Sequence, residues 1–229
     1  MTGPGGADTS PVRVLLVDDH DLLAQPLAIA LRLRGLQVDI APLTSAAHVV
    51  EAAEQGPADL VLLDLDLGGA IGDGASLVPG LAAAGCRVII VTGSPDPVAA
   101  GLAVERGAIG VVYKHHPFDR LVSTVVSAAH GHAVMDLDQR RTMVQATRVA
   151  RRQRSEVDEQ FDRLSDREAQ VLRALADGRS VAEIARGWVV SEATVRTQVR
   201  GVLTKLGVST QLAAVAHAHR SGWLEARAS

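Results

Sequence analysis

The chain has 229 residues, a net charge of −3, 47% hydrophobic and 21% charged residues, which excludes a disordered or coiled-coil protein and allows one large or two small domains. Its single cysteine, Cys86, excludes a disulfide framework and a multi-cysteine zinc site. No stretch reaches the ~18 uncharged apolar residues of a membrane span, and the opening MTGPGGADTSP lacks the basic start and apolar block of a signal peptide, so a soluble, cytoplasmic protein with no membrane partner is expected.

The first half alternates strand and helix. Apolar runs of strand length recur at 12–17, 36–41, 58–63, 86–91 and 108–113, spaced widely enough for a helix between each pair. Near-continuous Val/Ile/Leu runs indicate strands buried on both faces, hence a parallel sheet covered by helices. The intervening stretches predict helices at about 21–34, 44–55, 74–84, 96–106 and 117–130, ending at Gly35, Gly56, Gly85, Gly107 and Gly131. Pro26 falls inside the first helix and is expected to kink it. The fold class is therefore α/β, a doubly wound five-stranded parallel sheet, followed by a small all-α domain described below.

Ligands bind such sheets at the carboxyl ends of the strands. Asp18 and Asp19 follow the first strand, Asp64 ends the third, Thr92 ends the fourth and Lys114 ends the fifth. Taken singly, each has an ordinary role: an aspartate as turn former, a threonine as helix cap, a lysine in solvent. Their joint placement at four strand ends selects a site instead. Carboxylates so crowded repel one another unless a cation joins them, and hard, oxygen-seeking Mg²⁺ is the natural partner. An aspartate beside Mg²⁺ is a nucleophile for phosphorus.

The segments VLLVDDH (14–20), LVLLDLDLGG (60–69), VIIVTGS (88–94) and GAIGVVYK (107–114) resemble the receiver domain of two-component response regulators, over about residues 12–130. The resemblance implies Asp64 as phospho-acceptor from a sensor histidine kinase. It implies Asp18, Asp19, Asp64 and the backbone carbonyl of Asp66 around Mg²⁺, and Thr92 and Lys114 as switch and phosphate contacts. The chain departs from the family at Gly68, where proline is usual, in a GGAIGDG segment about two residues longer than usual, and at Val111, where the switch aromatic would stand. Val111 predicts a weaker coupling between phosphorylation and output. His115 and His116, after the lysine, are read as an ordinary loop pair.

Charge divides unevenly, with −9 over residues 1–138 and +6 over 139–229, as for a phosphate-handling module joined to a nucleic-acid-binding one. Residues 131–160 lack a strand signal and read as a partly helical linker whose Arg148, Arg151, Arg152 and Arg154 form a solvated face. From 161 to the end the signals are helical. Ser165 to Glu168 and Ser180 to Glu183 are capping boxes, Ser191 opens a third helix to about Leu206, and Ser209 or Thr210 opens a fourth that ends before Gly222. Two short helices joined by a turn of four or five residues form a helix-turn-helix pattern. On the third helix Val195, Val199, Val202 and Leu206 share one stripe. Ala193, Arg196, Thr197, Arg200 and Thr204 lie opposite, with two arginines and no acid.

Residues 164–215 resemble the DNA-binding domain of NarL/LuxR-type regulators. That resemblance implies double-stranded DNA as partner, a homodimer on DNA, base contacts from Arg196, Thr197 and Arg200, and backbone contacts from Thr194, Gln198 and Lys205. Gln198 and Gln211 depart from the usual residues, as do Gly187 and Trp188 in the turn, Trp188 reading as core filling. The expected function is a phosphorylation-controlled transcription regulator, not an enzyme. A phosphorylation-independent regulator is the alternative. A haloacid-dehalogenase-type phosphatase, suggested by Asp64-Leu65-Asp66, is remote, because that pair follows the third strand and leaves Asp18 and Asp19 unexplained.

Overall fold

In the computed structural model the described residues are 11–226, apart from Pro57 and Ala70. They divide between Arg148 and Val149 into two compact units. The first carries β1 (Arg13–Val17), α1 (Asp21–Arg32), β2 (Gln37–Ile40), α2 (Ala46–Gln55), β3 (Leu60–Leu63), a 3-10 turn at Gly74–Ser76, α3 (Val78–Ala83), β4 (Arg87–Thr92), α4 (Pro97–Glu105), β5 (Gly110–Tyr113) and α5 (Phe118–Ala129). The strands form one parallel sheet in the order β2-β1-β3-β4-β5.

Successive strand side chains point to opposite faces, so the apolar runs feed two cores. Leu15, Val17, Val61, Leu63, Val88 and Ile90 pack with Val49 and Ala53 of α2, Val78 and Leu81 of α3, and Ala100 and Ala103 of α4. Leu16, Leu60, Leu62, Ile89 and Val91 pack on the other side with Leu27 and Leu31 of α1 and Leu121 and Val125 of α5. Each buried Leu or Ile contributes about 1.5–3 kcal/mol, which is why the sheet tolerates a run of polar groups at one edge.

Helix α1 runs continuously through Pro26. Two local expectations are modified. The helix expected at 74–84 is shorter, because Gly74 backs directly onto the end of β3. A Cβ there would lie 2.0 Å from the Asp64 backbone oxygen, and the Gly74 N–H donates to the Leu65 carbonyl at 2.8 Å. Gly56 ends α2 in extended backbone, φ −136°, and the reason for glycine is space: the Arg13 guanidinium occupies the position of a Cβ.

Helix α6 (Leu137–Asp162) takes up most of the segment read as a linker. Its first part is fastened to α4 inside the first unit. Arg140 donates to the carbonyls of Val104, in the last turn of α4, and Ala108, in the turn that follows, at 2.8 and 2.7 Å. Thr147 is buried against Gly101, and Arg148 donates to Glu105 at 2.7 Å.

The second unit holds α7 (Asp166–Ala176), α8 (Val181–Trp188), α9 (Glu192–Leu206), α10 (Gln211–Arg220) and the short α11 (Trp223–Ala226). Both expected capping boxes form, and Ser191 and Thr210 cap α9 and α10 through their hydroxyls. The α9 stripe of Val195, Val199, Val202 and Leu206 is buried, against Ile184 and Ala185 of α8 and Leu172 of α7 among others. Between α8 and α9 stands Val189, which adopts left-handed backbone at φ 56° and is almost wholly exposed. Among the described residues no helix is long and apolar enough to cross a membrane.

Candidate functional site

Strand register assembles an acidic pocket at the carboxyl edge of the sheet. The Asp64 N–H donates to the Val17 carbonyl at 2.8 Å, which sets Asp64 beside Asp18 across the β1–β3 pair. On the other side the Lys114 N–H donates to the Thr92 carbonyl at 2.8 Å, continuing the β4–β5 ladder. The Lys114 ammonium then reaches back to both acids, with Nζ at 2.7 Å from Asp18 Oδ2 and 2.7 Å from Asp64 Oδ2. Asp19 lies at the rim. Ligating atoms of Asp18, Asp19, His20 and Asp64 all fall within 4.8 Å of one another.

Burial sets the electrostatics. Asp64 is 3% exposed. Loss of solvent pushes its carboxyl above the usual aspartate value, opposed by the hydrogen bond and charge of Lys114 and reinforced by the nearby charge of Asp18. For Lys114 burial disfavours the ammonium, but its hydrogen bonds to Asp18 and Asp64 outweigh that and hold its pKa above the ordinary lysine value. The pocket therefore contains a permanent cation and a carboxylate whose negative charge is held at a cost. A further positive charge is favoured there, and three convergent carboxylates suit a hard divalent cation.

Thr92 is buried at the end of β4, where its hydroxyl accepts the Ser94 N–H at 3.0 Å. Asp66 is exposed, and its N–H reaches Asp64 Oδ1 at 3.4 Å in a turn that bridges to Asp73. Val111 is only partly buried on the α2/α3/α4 side of the sheet, while Tyr113 stacks on His115 with ring centroids 5.3 Å apart. His20 also lines the pocket, and its position directly after the acid pair is the one sequence signal of it. Its Nδ1 lies 2.7 Å from Asp19 and 3.2 Å from Asp18.

The second unit presents the outer face of α9. Ala193, Thr194, Arg196, Thr197, Arg200 and Thr204 are exposed, and Gln198 is half-buried. One expectation is corrected: the face is not free of acid. Glu192 lies one turn before Arg196 and accepts its guanidinium at 3.0 Å, a pairing that the i, i+4 spacing favours. The hydroxyls of Thr197 and Thr204 donate to carbonyls one turn earlier, and Thr194 shares a hydrogen bond with Ser191. Lys205 is half-buried and donates to Glu168 Oε2 at 2.6 Å. Glu168 also accepts the Ser165 N–H in the α7 capping box, and Gly201 leaves room for its carboxylate, since a Cβ there would meet Oε1 at 2.3 Å.

Comparison with known proteins agrees with both halves. Residues 14–126 match the response regulator receiver domain, and residues 162–218 match the bacterial regulatory proteins of the luxR family. The probable transcriptional regulatory protein NarL of Mycobacterium tuberculosis is 31% identical, over 93% of this chain and 96% of that protein. A nitrate/nitrite response regulator protein homolog of Haemophilus influenzae is 29% identical, over 89% of this chain and 94% of its own. Among solved structures, a LuxR-family two-component response regulator from Aurantimonas sp. SI85-9A1 is 25% identical, covering 61% of this chain and 99% of that one, with a TM-score of 0.50. With a receiver fold that carries an acidic pocket, followed in sequence by a capped helix-turn-helix, the chain belongs to the response regulators that join a receiver domain to a LuxR-type DNA-binding domain.

Proposed function

We propose that the receiver, spanning residues 12–130, takes a phosphoryl group on Asp64 from a sensor histidine kinase in the cytoplasm. The signal then passes through residues 131–160 to control dimerisation and promoter binding by residues 161–229. The observation that carries this reading is the Lys114 bridge to Asp18 and Asp64 beside a deeply buried acceptor carboxylate. In the transfer an Asp64 oxygen forms a bond to phosphorus as the donor's P–N bond to its histidine breaks. The electron pair of that bond leaves with the imidazole, which takes up a proton, and the product is an acyl phosphate. Asp18, Asp19, Asp64 and the backbone carbonyl of Asp66 would hold Mg²⁺, which supplies charge neutralisation to the phosphoryl oxygens when bound. Lys114 contributes a second positive charge, and the Thr92 hydroxyl stands at the adjoining strand end to follow the phosphoryl group.

In the DNA-binding half, Arg196, Thr197 and Arg200 are the base readers, and Thr194 and Gln198 contact the phosphate backbone of double-stranded DNA. Lys205 adds to the backbone contact only through what its pairing with Glu168 leaves free. Val111 offers no ring or hydroxyl to carry a switch, which supports a modest effect of phosphorylation on DNA affinity.

The experiment is intact-mass measurement of the full chain after treatment with a small-molecule phosphodonor and Mg²⁺. One adduct is expected, absent in Asp64→Ala and without Mg²⁺. An adduct that persists in Asp64→Ala overturns the assignment. A change of several hundredfold in DNA affinity on phosphorylation would refute the modest coupling.

A further inference from the structure

The acidic pocket contains one donor that the phosphoryl-transfer reading does not use. His20 follows Asp19 directly, and its ring faces inward toward the acids. Nδ1 lies 2.7 Å from Asp19 Oδ1, 3.2 Å from Asp18 Oδ1 and 3.6 Å from Asp64 Oδ2. The backbone assists, because the His20 N–H donates to Asp18 Oδ1 at 2.9 Å and so holds the residue against the same carboxylate. The His20 side chain is 63% exposed, so the ring can turn toward an entering ion.

We propose that His20 is a fourth ligand of the divalent cation held by Asp18, Asp19 and Asp64, and that it tunes the pocket toward a borderline transition-metal ion over Mg²⁺. The proposal rests on the reading of that pocket as a cation site. An all-oxygen set suits Mg²⁺, which surrenders its waters reluctantly and gains little from an imidazole. Ions such as Co²⁺ and Zn²⁺ bind imidazole nitrogen strongly, so a single Nδ1 among three carboxylates widens the preference for them. Lys114 occupies the inner oxygens, Asp18 Oδ2 and Asp64 Oδ2. Asp18 Oδ1, Asp19 and His20 therefore form the rim by which a cation enters, and the nitrogen stands at that entrance.

The test is calorimetric titration of the full chain with MgCl₂ and, separately, with CoCl₂, on the wild type, His20→Gln and Asp64→Asn, together with the visible absorption of bound Co²⁺. Co²⁺ is expected to bind about 30-fold more tightly than Mg²⁺ in the wild type. His20→Gln should reduce that preference about tenfold, change the Co²⁺ spectrum as a nitrogen ligand is lost, and leave Mg²⁺ affinity within about twofold. Asp64→Asn should weaken both ions. An unchanged ratio and spectrum in His20→Gln would overturn the assignment while Mg²⁺ binding upholds the cation site. A stronger affinity for both ions in His20→Gln would also overturn it, showing the ring to be a counter-charge that the ion expels. Co²⁺ binding that survives Asp64→Asn unchanged places the ion outside the Asp64 pocket and overturns it too. If neither ion binds the wild type, the reading of the pocket as a cation site fails along with the inference.

Discussion

Replacing Lys205 by alanine separates two roles that its sequence position leaves merged. If its ammonium serves a DNA phosphate alone, the free protein loses nothing. The structure instead shows it on Glu168 Oε2 at 2.6 Å, with the glutamate side chain 9% exposed and the lysine 37%. Removing one partner of a fully buried pair costs about 3–5 kcal/mol, and an exposed pair is worth about 0–1 kcal/mol. This pair lies between those limits, and Glu168 keeps the Ser165 N–H at 2.7 Å. The expected loss is thus about 2 kcal/mol, a fall of about 8–16 °C in the unfolding midpoint of a unit this size. Both tryptophans of the chain, Trp188 and Trp223, belong to the second unit, so their fluorescence follows that unit within the intact protein. Adding Glu168→Ala to Lys205→Ala should cost less than the sum of the single changes, because each has already broken the same bond. An unchanged midpoint, accompanied by a salt dependence of DNA binding shallower by about one, would refute the structural role and return Lys205 to the phosphate backbone.

Hydrogen bonds from Lys205 and Ser165 outweigh burial and hold the Glu168 carboxyl below its ordinary value of 4.5. Its stabilisation is therefore present above about pH 4.5 and lost as pH falls through the depressed folded value, and Glu168→Gln should flatten that acid-side decline in tryptophan-detected stability. Val189→Asn should raise the same midpoint, since left-handed backbone costs a β-branched residue about 1–2 kcal/mol and the side chain has little packing to lose; a lower midpoint would show that the exposed valine is held by something else. Asp64→Asn should raise the first unit's calorimetric transition at neutral pH, because burial elevates the carboxyl above 3.8 and the ionised form is paid for in stability, while Lys114 keeps Asp18 as a partner; a lowered transition refutes this. Arg196→Ala or Arg200→Ala should cost about 1–3 kcal/mol on a specific duplex and much less on a scrambled one, and equal losses on both would mean that they only hold the backbone.

Much of the fold was readable because it is written in short periods. The five apolar runs became the five strands with ends shifted by at most two residues, as at 58–63 against Leu60–Leu63. Serine at positions 165, 180 and 191 marked three helix starts through bonds that span only three residues. The helix over 137–162 was harder, because its charged surface carries a weak apolar stripe, and its anchoring through Arg140 and Thr147 depends on carbonyls and a glycine of α4.

For the site, the sequence by itself determined which side chains stand at the carboxyl ends of the strands, since alternation and strand length place Asp18, Asp64, Thr92 and Lys114 there. It also determined which face of α9 is apolar. Only the tertiary structure decided that Lys114 closes on Asp64 across fifty residues of chain, that Lys205 turns to Glu168 across thirty-seven, and that His20 faces the acids. Periodicity reports a residue's own neighbours along one element. Which cation reaches which carboxylate is settled by strand register and helix packing, where burial raises the cost of an unpaired charge until a partner distant in sequence is drawn to it.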